Sequence, residues 1–376
     1  MERTPKKKIL QLIGYSSGAS GVWQRCKEES KQFLKMGYEV IVMSSNAVKG
    51  KPKEHAPSEE IVEGIKIKRF PYWKLGGESY MTWPCIQEGV AYEPDIIITH
   101  GYRHTHSSKA LKIRDELISK GKKCKCICVT HAPFVKGRSL IPRIVVFFKD
   151  MFSNLNKFDK VVAVCKWEIP ILRKLIGDGW RQKIRWIPNS IESRYFQGPI
   201  NHKGKGIYYL GRYHPIKDLK TLLNGIAASE YYDKTTLIGS GDPFYMEDLV
   251  LWAERAGNSK VGKPIYDIEK KIKAMDKHDI FVLPSLREAF PIALLEAMSR
   301  GKIVVASKTD GAKEIIKNER NGFLFDIGYN LELAKILDRI YKMPKIDKMR
   351  MRNAARRTAE KYKMSVVMNK WGRILE

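Results

Sequence analysis

The sequence predicts an α/β protein of two parallel-sheet domains, and three observations carry that reading. Short apolar, β-branched runs alternate with longer amphipathic stretches from end to end, the pattern of parallel strands joined by covering helices. The alternation restarts near residue 205, after a polar stretch that contains Gly198, Pro199 and Gly204. At 376 residues and 43% hydrophobic content, the chain is too long for one ordinary core and has apolar side chain enough for two.

Taken in order, the first repeat is expected to place strands at 8–13, 39–43, 65–70, 95–99, 124–130, 160–164 and 184–187, with helices at 22–36 and 107–120. The second repeat places strands at 206–210, 235–238, 260–264, 280–283, 303–306 and 322–325. The domains then span 1–193 and 205–363, with 194–204 as the linker and a last helix at about 364–376 packing back on the first domain. In open α/β sheets the ligand sits beyond the carboxyl ends of the strands. Those ends carry GYSSGASG, THGYRH, THAPF, IPNS, LGRYHP, IGSGD and LPSLRE, residues suited to polar ligands.

Composition narrows the partners. The formal net charge of +28 attracts phosphates, anionic lipid or nucleic acid at long range, and is also met as plain solvated surface. No zinc-finger spacing or RNA-binding aromatic strand occurs, and Trp73, Trp83 and Trp167 are scattered, so nucleic acid is not expected. The six cysteines form no Cys-x2-Cys pair, and Cys124, Cys126 and Cys128 alternate along one strand, which suits burial as small hydrophobes in a reducing compartment. The N-terminal apolar run breaks at Gln11 and Gly14, unlike a signal peptide, and no stretch approaches the roughly 20 apolar residues of a membrane span. A cytoplasmic chain is expected. The segment 138–152 sets an apolar band beside Arg138 and Arg143, suiting either an interfacial helix at an anionic membrane or a core helix with a basic edge.

Two segments carry the chemistry. In 281–307 the pattern is strand, turn, helix and strand, with Pro291 expected at the first helical position and the helix ending near Arg300 and Gly301. A helix N-terminus gathers unpaired amides and favours a phosphate beside Phe290, Ile292 and Ala293. Glu288 before the helix and Glu296 within it offer acceptors for sugar hydroxyls, or are ordinary surface carboxylates. In 206–225 a Gly-Arg pair follows a strand directly, and Arg212 with Lys217 offers a fork and a mobile point charge to a diphosphate. Nearby, Gly239-Ser240-Gly241 is a Gly-rich turn of a common kind. His100, His104 and His106 raise a metal site, yet no Asp-x-Asp motif accompanies them, so a metal is not expected.

In their order along the chain, IPNSI, LGRYHPIKD, Glu288-x7-Glu296 within REAFPIALLEAM, GKIVVAS and DGAKEII resemble the retaining GT-B glycosyltransferases of family 4. A Ser20-Gly21 turn followed by a helix and GYEVIVMSS is similar to the family's N-terminal half. The resemblance implies two Rossmann-like domains facing across a cleft, and transfer of a sugar from a nucleoside diphosphate to an acceptor hydroxyl of a glycan or lipid-linked molecule, with retention. It implies that Arg212 and Lys217 hold the diphosphate, Glu296 the ribose and Glu288 the transferred sugar, with His131 reaching the donor sugar and the Ser20-Gly21 turn approaching the phosphates. Asn189 and Glu314 match positions that shape the cleft, and the base is read through backbone near 261–265. No metal or other cofactor is implied, the nucleotide sugar being a substrate. Ser20 stands where the family has a first turn glycine, Pro291 where glycine is common, and Ser190 where glycine usually follows the asparagine. An epimerase or hydrolase of the same fold, or a non-enzymatic basic binder of nucleic acid or lipid, stands as the alternative.

Overall fold

The computed structural model describes residues 6–18, 20–75, 77–131, 154–200, 203–230, 234–257 and 259–376. The segment 138–152 therefore lies outside the described residues. The chain divides into two compact units, one of Met1–Pro188 with Met368–Glu376 and one of Asn189–Val367.

The first unit is built on an eight-stranded sheet. From edge to edge it runs Ile184–Trp186, Lys160–Ala163, Lys125–Val129, Ile96–His100, Lys8–Tyr15, Glu39–Ser45, Ile65–Phe70 and Glu59–Val62. Every neighbouring pair is parallel except the last. Parallel strands are covered on both faces and so read as continuous apolar runs. In Lys8–Tyr15, Leu10 and Leu12 pack on one face with Ala110, Ile113 and Leu117 of the Thr105–Ser119 helix. Ile13 packs on the other with Trp23 and Cys26 of the Gly21–Lys35 helix. Cys126 and Cys128 are fully buried in the first of these faces, and burial pushes both thiols up; it raises Cys124 to about 12. The antiparallel edge strand was not expected from the sequence. It is joined to its neighbour by Glu63 and Gly64, both at positive φ (50° and 84°), the two-residue turn whose twist matches a hairpin.

The second unit holds a six-stranded, wholly parallel sheet: Ser259–Gly262, Thr235–Ile238, Ile207–Leu210, Ile280–Leu283, Ile303–Ser307 and Phe323–Phe325. Expected strands at 65–70, 235–238 and 280–283 match to the residue, and the others shift by one or two. The stretch 194–204, expected as a linker, belongs to the second unit as far as it is described. Its early carbonyls are captured there: Arg300 donates to Tyr195 O (3.2 Å) and Gln197 O (2.5 Å), and Arg356 donates to Phe196 O (2.6 Å). The terminal Met364–Leu375 helix ends in the first unit, where Trp371 is buried edge-on against Phe33 and donates to Glu29 Oε1 (2.9 Å).

Among the parallel strands of each sheet the order reverses once. The reversal lies between Lys8–Tyr15 and Ile96–His100 in the first and between Ile207–Leu210 and Ile280–Leu283 in the second. Chains leaving two such strands diverge and open a crevice at their carboxyl ends, the preferred place for a ligand in this architecture.

Candidate active site

At the reversal in the second unit, the turn after Ile207–Leu210 brings Arg212 and Lys217 beside the loop after Ile280–Leu283, which carries Glu288. Leu286 N donates to Ile216 O (2.9 Å) and ties the two segments together. Lys217 Nζ then donates to Glu288 Oε1, and Ser285 Oγ donates to the same oxygen (2.9 Å). Two further contacts fix the loop. Ser307 Oγ donates to Ser285 O (2.5 Å), and Gly311 N donates to Glu288 O (3.0 Å). A Cβ at Gly311 would stand 2.6 Å from Ala289 O, so only glycine allows that approach.

The Gly239-Ser240-Gly241 turn proves specific in the same way. Cβ atoms there would stand 1.9 Å from Gly211 O and 2.0 Å from Tyr213 O, and Tyr213 N donates to Ser240 O (2.7 Å). The turn thus backs the Arg212 segment directly, and Arg212 itself is exposed. Burial, then Arg212 and Lys217, lower the His214 pKa, and its Nδ1 accepts from Ile216 N (3.1 Å). The neutral ring therefore carries its proton on Nε2 and adds a donor to the same turn.

The Ile292–Ser299 helix follows Glu288. Pro291 is its N-cap, with extended ψ of 93°, and not its first helical residue as expected; its carbonyl already accepts from Leu295 N (3.4 Å). The open amides therefore begin at Ile292 and Ala293, with Phe290 buried behind them. Glu296 is buried, and both its oxygens accept from Lys271 Nζ (2.9 and 3.2 Å). Tyr195 also bonds to Glu296; burial first and this carboxylate second push its hydroxyl pKa far up. Sequence reasoning missed Ser285, which lies in the same loop as Glu288, and Lys271 and Tyr195, which no local spacing links to Glu296.

At the reversal in the first unit, Ser20 is the N-cap of the Gly21–Lys35 helix, its Oγ accepting from Trp23 N (3.2 Å). That bond gives a physical reason for serine where a first turn glycine was expected. Gly21 is exposed, and a Cβ added there would meet nothing within 4 Å. A cavity of about 280 Å³ opens here, lined among others by Tyr15, Ser20, Lys49, Arg103 and His131. His131 takes the left-handed backbone (φ 57°), uncommon outside glycine. Its Nε2 lies 2.9 Å from His100 Nδ1, and burial, then His100, holds its pKa well below the ordinary value. His106, also buried and lowered to about 3, bonds through Nε2 to His100 O (2.7 Å). Among the described residues no group of three His, Cys, Asp or Glu could hold a metal ion, and no helix is long and apolar enough to cross a membrane.

Residues 19–194 match the glycosyltransferase family 4 model and residues 190–358 match glycosyl transferases group 1, so between them the two matches take in the regions around both sheet reversals. The chain belongs to glycosyltransferase family 4. The chain is 29% identical over 203 residues to the phosphatidyl-myo-inositol mannosyltransferase of Mycobacterium tuberculosis, covering 50% of this chain and 53% of that one. It spans about half the length, or less, of the curated relatives it matches first. Its GT-B fold is that of sucrose-phosphate synthase from Thermosynechococcus elongatus, with a TM-score of 0.76, 16% identity and 98% of each chain covered. Anabaena HepE, solved in complex with UDP and glucose, shares the fold at a TM-score of 0.73 and 18% identity, over 98% of this chain and 99% of that one.

Proposed function

We propose that this glycosyltransferase moves a sugar from a nucleoside-diphosphate sugar to an acceptor hydroxyl, with retention at the anomeric carbon and without a metal ion. The observation that carries the reading is the turn at the second sheet's reversal, where exposed Arg212, Lys217 and the neutral His214 gather donors beside Glu288. A departing diphosphate gains negative charge as the glycosidic bond breaks, and preorganised donors stabilise it most at that point. Lys217 rests on Glu288. An arriving diphosphate competes for the ammonium group, and release of Lys217 frees Glu288 to accept from the transferred sugar. Glu296, already oriented by Lys271 and Tyr195, is placed to accept from ribose hydroxyls. No carboxylate is assigned as nucleophile, so the acceptor attacks on the face the leaving phosphate vacates, and that phosphate takes its proton. UDP in HepE supports a nucleoside diphosphate as the leaving group.

A thermal-shift panel of UDP-, GDP- and ADP-sugars tests the donor. At 100-fold excess over its Kd a ligand bound only by the folded state stabilises by about 2.7 kcal/mol. One nucleotide class should raise Tm and the others should not, and a panel with no shift at all would sink the proposal. Product anomeric configuration, read by proton NMR, tests retention.

For the acceptor we propose a lipid-linked or glycan hydroxyl met at an anionic membrane surface. The +28 charge, Arg138 and Arg143 in an apolar band, and the lipid named for the mycobacterial relative support it. The protein should cosediment with anionic and not with neutral liposomes, and Arg138→Glu with Arg143→Glu should abolish this. Recovery in the supernatant with both liposome types would end the idea.

A further inference from the structure

Behind His131 lies a chain of hydrogen bonds that reaches across the sheet to the Gly21–Lys35 helix. His131 Nε2 is 2.9 Å from His100 Nδ1, and His100 Nε2 is 2.7 Å from Gln11 Oε1. Gln11 Nε2 donates to Ser30 Oγ (2.6 Å) and Cys26 O (3.3 Å), and Ser30 Oγ donates to Cys26 O (2.8 Å). Gln11, Ser30 and His100 are buried, so each of these groups needs its partner.

The direction of every bond in the chain is determined. Cys26 O can only accept, and Ser30 spends its proton on it, so both positions facing the far end of Gln11 demand a donor. The Gln11 amide must present its NH2 group there and its oxygen to His100. His100 Nε2 then carries a proton. Burial, aided by Arg25, holds that ring neutral, which leaves Nδ1 as a bare acceptor. His131 Nε2 must in turn carry the proton, and Nδ1 of His131 is left with a lone pair.

We propose that Gln11 and His100 are positioning residues that lock His131 as its Nε2–H tautomer, so that His131 meets its ligand as a hydrogen-bond acceptor at Nδ1. The inference rests on the reading of His131 as ligand-facing. Its consequence is a choice of ligand chemistry: a neutral imidazole held this way takes a hydrogen bond from a hydroxyl and offers none to a phosphate oxygen. The left-handed backbone at His131 and the fixed His100 carbonyl, held by His106, keep the two rings in register.

The test is a long-range proton–nitrogen correlation spectrum of the full chain labelled at histidine nitrogens, with His100→Ala and His131→Ala used for assignment. At pH 7 both rings should be neutral, with Nε2 protonated and Nδ1 bare. Gln11→Leu removes the terminal acceptor and should shift both rings toward the Nδ1–H form, whereas Gln11→Glu should restore the parent pattern. His100→Asn, whose Oδ1 still accepts from His131, should keep His131 as Nε2–H. Sugar transfer in Gln11→Leu should fall roughly tenfold, the worth of one neutral hydrogen bond, with nucleoside-diphosphate affinity unchanged. A charged or Nδ1-protonated His131 in the parent overturns the proposal, as does an unchanged tautomer in Gln11→Leu. If Gln11→Leu does not fold, the parent and His100→Asn spectra decide alone. The spectra need no donor, so a locked tautomer without nucleotide binding sinks only the functional reading, and nucleotide binding without the tautomer sinks only this one.

Discussion

At the level of single residues, the proposed transfer gives four side chains separable duties. In the proposed transfer Arg212 and Lys217 meet charge that grows in the transition state, so Arg212→Ala and Lys217→Ala should lower kcat more than donor binding. Under the same proposal Glu296 meets a ribose that does not change during reaction, and Glu296→Ala should weaken nucleoside-diphosphate binding by about 1.5–3 kcal/mol, as a charge-assisted hydrogen bond would. Glu288→Ala should cut turnover while leaving affinity for the free nucleoside diphosphate at or above the parent's, because Lys217 is then released to the phosphates. Isothermal titration with steady-state kinetics on the four variants separates these outcomes. Parent-like behaviour of both glutamate variants would return them to the role of ordinary acids. The placement of Glu288 before a helix and Glu296 within it was legible because their spacing around a helix start is local. Lys271 and Tyr195, which hold Glu296, were not, since they arrive from other elements and only folding makes them neighbours.

Among the elements, strands were read well and turns poorly. Buried parallel strands announce themselves as apolar runs, whereas the Glu59–Val62 hairpin is mostly exposed and carries no such run. Proline fixes φ without fixing ψ, which is why Pro291 reads equally as cap or first helical residue until its ψ is seen. Glycine divides similarly. Gly241 has backbone pressed against it and Gly21 has open space, a difference invisible in the letters. Gly241→Ala should destabilise the second unit by about 1–3 kcal/mol, the cost of overpacking. Gly21→Ala should leave stability almost untouched and, if phosphates approach that turn, weaken donor binding. Ser20→Ala should cost about 0.5–2 kcal/mol through loss of the helix cap. Urea unfolding paired with nucleotide titration distinguishes the three; equal stability losses in Gly21→Ala and Gly241→Ala would contradict the packing argument.

For the whole molecule, the two-repeat plan was legible because each repeat rebuilds a complete sheet. The boundary was not, because Arg300 and Arg356 reach back along the chain to hold 195–197 in the second unit. The same hidden long-range burial sets the response to acid. His100, His106 and His131 lie together in the first unit with pKa values lowered by burial, so the folded state keeps them neutral where the unfolded chain, near 6.5, takes up protons. Their contribution is fully present above pH 6.5 and is lost as pH falls below it. Glu168 opposes them: burial raises it to about 7, so the folded state binds the extra proton and stability falls as pH rises from the ordinary carboxylate range to 7. Comparing the parent with His106→Gln cancels Glu168 and every other group common to both. His106, lowered to about 3, stays neutral through this window, so its loss of stability between pH 7 and pH 5 is about 2 kcal/mol, the slope approaching 1.36 kcal/mol per pH unit below 6.5. Gln at this position can still donate to His100 O and has no proton to gain. In urea unfolding at pH 7 and pH 5, followed by fluorescence, His106→Gln should therefore lose about 2 kcal/mol less on acidification than the parent. Parallel losses would mean that His106 already exchanges protons freely in the folded state, and its burial would then not govern the acid response.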